Sequence, residues 1–151
     1  MAHFNIILLN RDGENYDCID DPLLQIETDY VGDTAKGDQR KKAIAYLKKT
    51  ISPFADVDID NETLTFHDKQ TVEDQYVRHV KAATEAFQKD FAEKLHILGR
   101  MRLEDCIKNL TCSDLFFCDG HLQPLSSILT DYLDGYMPET MHIGNIFDAH
   151  I

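Results

Sequence analysis

Apolar residues from Val72 onward recur at Val72, Tyr76, Val80, Ala83, Phe87, Phe91, Leu95 and Leu98, in steps of four and three. That spacing draws one stripe along an α-helix, not the alternation of a strand. Glu73, Asp74, Arg78, Lys81, Glu85, Lys89, Asp90 and Lys94 fill the solvated side. The pattern predicts a long helix over 68–99, started by Thr71 with Asp74 answering it three residues on and stopped by Gly99. At ~1.5 Å per residue such a rod is roughly 42 Å long, enough to cross a small domain. The mean step of about 3.7 residues favours a core helix over a left-handed coiled coil.

The rest of the chain is arranged around that helix. Phe4 to Asn10 reads as a buried strand, and Asp12-Gly13 predicts a hairpin return through Tyr16 and Cys18. Pro22 to Ile26 reads as a short helical turn or irregular segment, followed by a polar loop through Gly32 and Gly37. Asp38 is the expected cap of a helix that buries Ile44, Leu47 and Ile51 and ends at Ser52, before Pro53. Phe54 to Ile59 and Thr63 to His67 alternate as two strands about an Asp60-Asn61-Glu62 turn. Leu103, Cys106, Ile107 and Leu110 suggest a short helix, and Leu115 to Phe117 a brief strand or buried turn before Asp119-Gly120. Pro124 suits the first turn of a last helix with Leu125, Ile128, Leu129, Tyr132 and Leu133 on one side and Gly135 as its stop. The tail from Met141 to Ile151 is apolar enough to close the sheet as a strand. Together these elements predict one α+β domain over 1–151, an antiparallel sheet from two hairpins packed on the long helix.

Composition agrees with a single core. The chain has 151 residues, of which 43% are hydrophobic, enough to bury roughly 68–70% of the unfolded surface. The N-terminus has no basic leader and its apolar run is short, so neither a signal peptide nor a membrane span is expected. The expectation is a cytosolic protein whose four cysteines, Cys18, Cys106, Cys112 and Cys118, stay reduced.

Charge changes the picture more. The net charge is −12, which argues against direct nucleic-acid binding, where Lys and Arg displace counterions, and against an anionic membrane. The charge also comes in blocks. Asp12, Glu14, Asp17, Asp20, Asp21, Glu27, Asp29 and Asp33 follow one another with no Lys or Arg between them. Lys36, Arg40, Lys41, Lys42, Lys48 and Lys49 come next, with Asp38 as the one acid among them. After Lys108 there is no Lys or Arg. Blocks of this kind either steer a charged partner or cancel one another inside the fold.

Candidate chemistry is thin. Asp56, Asp58 and Asp60 alternate as in a calcium loop, but Asn61 stands where glycine makes the turn and His67 where a bidentate Glu is needed. Val57 and Ile59 between them favour a strand with one acidic face. Cys118 and His121 are spaced so that a thiolate and an imidazole could converge on zinc, but the five-residue gaps between Cys106, Cys112 and Cys118 are not the short knuckles of structural zinc sites. His67, Asp68, Asp119, His121, His142, Asp148 and His150 could serve proton transfer or a metal pair, given convergence. No phosphate loop, nucleophile elbow, zinc-protease helix or dinucleotide fingerprint is present.

The expectation is a binding protein of the inhibitor, immunity or adaptor kind. Asp12, Glu14, Asp17, Asp20, Asp21, Glu27, Asp29 and Asp33 would meet a basic protein surface, and no catalytic residue, metal or cofactor is assigned. The alternatives are a metal-dependent hydrolase using Cys118, His121, His142 and His150, and a structural or oligomeric subunit.

Overall fold

The computed structural model describes residues 3–12, 30–93, 107 and 110–150. Its elements, in chain order, are β1 (His3–Asn10), β2 (Tyr30–Thr34), α1 (Asp38–Ile51), β3 (Ala55–Asp58), β4 (Thr63–Phe66), α2 (Lys69–Glu93), β5 (Leu115–Cys118), β6 (His121–Gln123), α3 (Leu125–Leu133) and β7 (Thr140–His150). The strands form one sheet in the order β3-β4-β7-β1-β5-β6, with β2 also paired to β7. Every pairing is antiparallel except β1 with β5. The α+β architecture expected from the pattern is therefore the observed one.

The apolar tail does more than close the sheet. β7 pairs along one edge with β1, from His3↔His150 to Asn10↔His142. Its other edge is divided, with β4 on Thr140 to His142 and β2 on Phe147 to His150. The division falls where the β1 register slips, between Ile7↔Ile146 and Leu9↔Ile143. This bulge at Gly144 and Asn145 bends the strand and frees ladder positions. The Arg40 guanidinium enters there, donating to the Gly144 carbonyl at 2.7 Å and the Ile143 carbonyl at 3.2 Å. It also holds the Glu62 carboxylate at 2.7 and 3.1 Å.

One face of the sheet carries Ile7, Leu9, Val57, Leu64, Phe66, Phe116, Met141, Ile143 and Ile146, all buried in the main core. α1 contributes Ala43, Ile44, Leu47 and Ile51, α3 contributes Leu125, Ile128, Leu129 and Tyr132, and α2 contributes Val72. The opposite face is divided. Around β1 it is apolar, with Phe4, Ile6 and Ala149 buried and Leu115, Phe117, Leu122 and Phe147 half-buried. Over β3, β4 and the start of β7 it is polar.

Several local expectations shift by a residue or by a partner. Gly37, at φ 56°, precedes α1 as its cap, and Asp38 lies in the first turn, where its charge suits the helix dipole. Asp68, not Thr71, caps α2: its carboxylate accepts from the Thr71 N–H at 2.9 Å and the Thr71 hydroxyl at 2.7 Å. Pro124 is the extended cap of α3, one residue ahead of the first turn. Gly135, at φ 85°, ends α3 as expected. Its N–H donates to the Tyr132 carbonyl and that of Tyr136 to the Asp131 carbonyl, a Schellman closure.

The expected loop through Gly32 is strand β2, because β7 offers it an unpaired ladder edge. The hairpin through Asp60-Asn61-Glu62 is present as β3–β4. An Asp-Gly hairpin forms at Asp119-Gly120, where both residues have positive φ and β5 turns into β6. The return through Tyr16 and Cys18, the turn at 22–26, the helix stop at Gly99 and most of the expected helix around Cys106 lie outside the described residues. β1 already has β7 on one edge and β5 on the other.

Candidate partner-binding surface

The polar part of the outer face is built by register. Asp56 stands opposite Thr65 and Thr65 opposite Thr140, while Asp58 stands opposite Thr63 and Thr63 opposite His142. Directly paired residues share a face, so Asp56, Asp58, Thr63, Thr65, Thr140 and His142 project together. Asp12 joins them from the end of β1: His142 Nε2 donates to its carboxylate at 3.3 Å. Asp60 follows in the β3–β4 turn. The alternation that buries Ala55 and Val57 exposes Asp56 and Asp58, as a strand with one acidic face requires.

Each of these groups has a distinct local role. Asp58 shapes its turn: one carboxylate oxygen accepts from the N–H groups of Asp60 and Asn61, both at 3.0 Å, and the other from the Asn61 amide at 2.8 Å. Those Asn61 hydrogen bonds hold its carboxyl below the usual carboxylate range. This Asx turn uses the acid as a backbone acceptor, so the calcium-like spacing has a structural cause. Asp56 is 84% exposed and lies 3.8 Å from His67 Nδ1, whose other ring nitrogen donates to the Ser52 carbonyl at 2.9 Å. Asp12 is 96% exposed. A hollow of about 580 Å³ runs along this edge, lined by Lys48 with Asp56 to Asp60, Thr63 and Thr65.

Of the acidic block, Asp12 and Asp33 fall among the described residues. Asp12 sits at the His142 end of β7, and the exposed Asp33 lies in β2, beside the Phe147 end. The two are separated by five residues of β7, roughly 16 Å of strand, so they do not share one patch. Glu14, Asp17, Asp20, Asp21, Glu27 and Asp29 lie outside the described residues. In the basic block Arg40 is paired internally with Glu62, which holds that carboxyl below its ordinary range. Lys36, Lys41, Lys42, Lys48 and Lys49 are exposed, and among the described residues none of them forms an ion pair.

Among the described residues, the His and Cys groups of the last third do not converge. β7 separates His142 from His150 by eight residues, about 26 Å. Cys112 and Cys118 lie beyond and at opposite ends of β5, both buried. Burial pushes the Cys112 thiol up to about 11, the wrong direction for a thiolate ligand. His121 faces Cys118 across the β5–β6 hairpin, but it is exposed and its neighbour Asp119 is held by Arg11 at 2.8 and 3.1 Å. That guanidinium keeps the Asp119 carboxyl low. Among the described residues no three His, Cys, Asp or Glu side chains come together as a metal site.

Two further features escaped the pattern. Asp114 is buried just before β5, accepting the Asn5 N–H at 2.9 Å with one carboxylate oxygen while the other has no hydrogen-bond partner among the described residues. Desolvation raises its pKa. A second hollow of about 400 Å³ between α1 and the sheet is lined by Asn5, Gln39, Lys42, Tyr46 and Asp148, among others. Neither was legible, since both join residues from distant parts of the chain.

No family model, curated protein or solved structure matches the chain. Among the described residues no helix is long and apolar enough to cross a membrane.

Proposed function

We propose that the protein acts by binding another protein, in the manner of an inhibitor, immunity or adaptor protein, and that its acidic surface meets a basic surface of that partner. The observation that carries this reading is the open acidic face of β3 and β4. Asp56, Asp58 and Asp60 gather there with Lys48 lining the same hollow, and Asp12 reaches the same face at His142, in a chain of net charge −12. Complementary charge speeds encounter and rejects acidic competitors, and it makes capture sensitive to salt. The face also presents threonine hydroxyls, those of Thr63, Thr65 and Thr140, beside the carboxylates.

The test compares the wild-type chain with Asp12→Asn/Asp56→Asn/Asp60→Asn as baits for cell lysate at low salt and at about 0.5 M, where screening falls to a few ångströms. Asp58 is left intact because it closes the turn. A partner held by the wild type at low salt, released at high salt and lost by the triple variant supports the reading. Capture that neither salt nor the substitutions change removes it.

A further inference from the structure

The free edge of β3 carries a more specific message, resting on the acidic-surface reading above. Ladder parity shows which backbone groups are spare. The His67 N–H donates to the Phe54 carbonyl at 2.9 Å, while the Phe66 N–H donates to Glu139 and the Ile143 N–H to Glu62, both at 2.8 Å. Hydrogen-bonded pairs alternate along an antiparallel ladder. The Phe54 carbonyl and the N–H and C=O groups of Asp56 and Asp58 therefore point toward β4, and Ala55 and Val57 turn theirs outward. Among the described residues β3 has no strand on that side.

We propose that this edge receives an extended segment of the partner with Lys or Arg at alternate positions, which pairs with Ala55 and Val57 as an added strand. Directly opposed side chains on such a strand stand ~5 Å apart, so two residues of the segment, spaced two apart, face Asp56 and Asp58. Cations there are attracted and carboxylates repelled. Ile59, 38% exposed at the end of the strand, offers the adjoining apolar contact. A second copy of this chain is a poor occupant, because antiparallel self-pairing would set Asp56 and Asp58 against their own equivalents. Acids on an edge strand block indiscriminate pairing, and the same acids admit a basic strand. Strand addition then takes affinity from the main chain and specificity from alternate side chains.

The experiment uses the full chain, labelled for amide NMR, and three short capped peptides at low salt. The first alternates lysine with valine or threonine. The second has the same composition with its lysines contiguous. The third repeats the first with N-methylated amides on the alternate residues that face β3, prepared in both registers. The alternating peptide is expected to slow exchange of the Ala55 and Val57 amides and to bind about tenfold tighter than the contiguous one, a 1.4 kcal/mol difference. N-methylation should abolish the protection, and Asp56→Asn/Asp60→Asn should weaken binding of the alternating peptide. Equal binding by the N-methylated peptides overturns strand addition while leaving the acidic surface intact. Failure of the alternating peptide to bind, or binding without protection at Ala55 and Val57, also overturns it. Loss of salt-sensitive partner capture would instead remove the underlying reading.

Discussion

Arg40 clasps Glu62 through two nitrogens, at 3.1 and 2.7 Å, and thereby ties helix α1 to the β3–β4 turn at the point where β7 bulges. The same guanidinium satisfies the Ile143 and Gly144 carbonyls. Arg40→Ala leaves those acceptors without their donor and is expected to cost about 2–3 kcal/mol in urea unfolding, since hydrogen bonds to charged groups are the stronger ones. Arg40→Lys should recover little, because an ammonium cannot reproduce the planar fork. Glu62→Gln should cost about 1 kcal/mol or less, its side chain being 43% exposed and screened by water.

Asp114 gives the pH dependence the opposite sign from Glu62. Burial raises the Asp114 pKa above 3.8, so the folded state holds that proton more tightly than the unfolded chain does. Its contribution is greatest at low pH and is lost as pH climbs from the unfolded value through the folded one. Glu62, held low by Arg40, contributes above its unfolded value of 4.5 and loses that contribution as pH falls through its lower folded value. Asp114→Asn keeps an acceptor for the Asn5 N–H and removes the titration. The stability of this variant relative to wild type should rise as pH increases above about 4, read from unfolding curves across the acid range.

Cys112 should be inert in the native protein. Its thiol, pushed up to about 11 by burial and by the neighbouring Asp114 carboxylate, is almost wholly protonated at pH 8. Alkylation mapped by mass spectrometry should modify Cys112 only when the chain is unfolded. Labelling of the native protein at the rate of a free thiol would contradict the burial.

The core face of the helices can be separated from the solvated one. Leu125 is fully buried at the start of α3, whereas Val77 on α2 is 58% exposed. Leu125→Ala is expected to cost about 2–5 kcal/mol, the range for emptying a packed leucine site. Val77→Ala should stay within about 0.5 kcal/mol of wild type in the same denaturant series.

The parts of this fold that were legible are those in which one segment advertises its own period. The helical period starting at Val72, the Ile44-Leu47-Ile51 side of α1 and the Leu125–Tyr132 side of α3 needed no partner to be recognised, although Val72 is the one fully buried member of the α2 stripe among the described residues. Strand pairing was not legible in this way, because a period of two says which face is buried but not which edge is occupied. Gly32 and Asp33 are poor strand formers, so the β2 segment has the pattern of a loop; it pairs because β7 supplies a ladder. The surface shows the same division. Alternation of Asp56 and Asp58 with Val57 announced an acidic strand face, but its union with Asp12 and His142 depends on the antiparallel register of β7. Counting charge by block gave weight to 12–33 and treated Arg40 as part of a basic field, though Glu62 claims it.

Because β7 touches β1, β2 and β4 together, the sheet has no order of assembly that proceeds steadily from its N-terminal strands. Until residues 140–150 leave the ribosome, the β3–β4 ribbon has no strand joining it to β1 and β5. Such long sequence separation between pairing strands slows closure and leaves unpaired ladders waiting during synthesis. The edge of that ribbon which waits is β4's, while the acids along β3 and its turn guard the other edge in the nascent chain as in the finished fold.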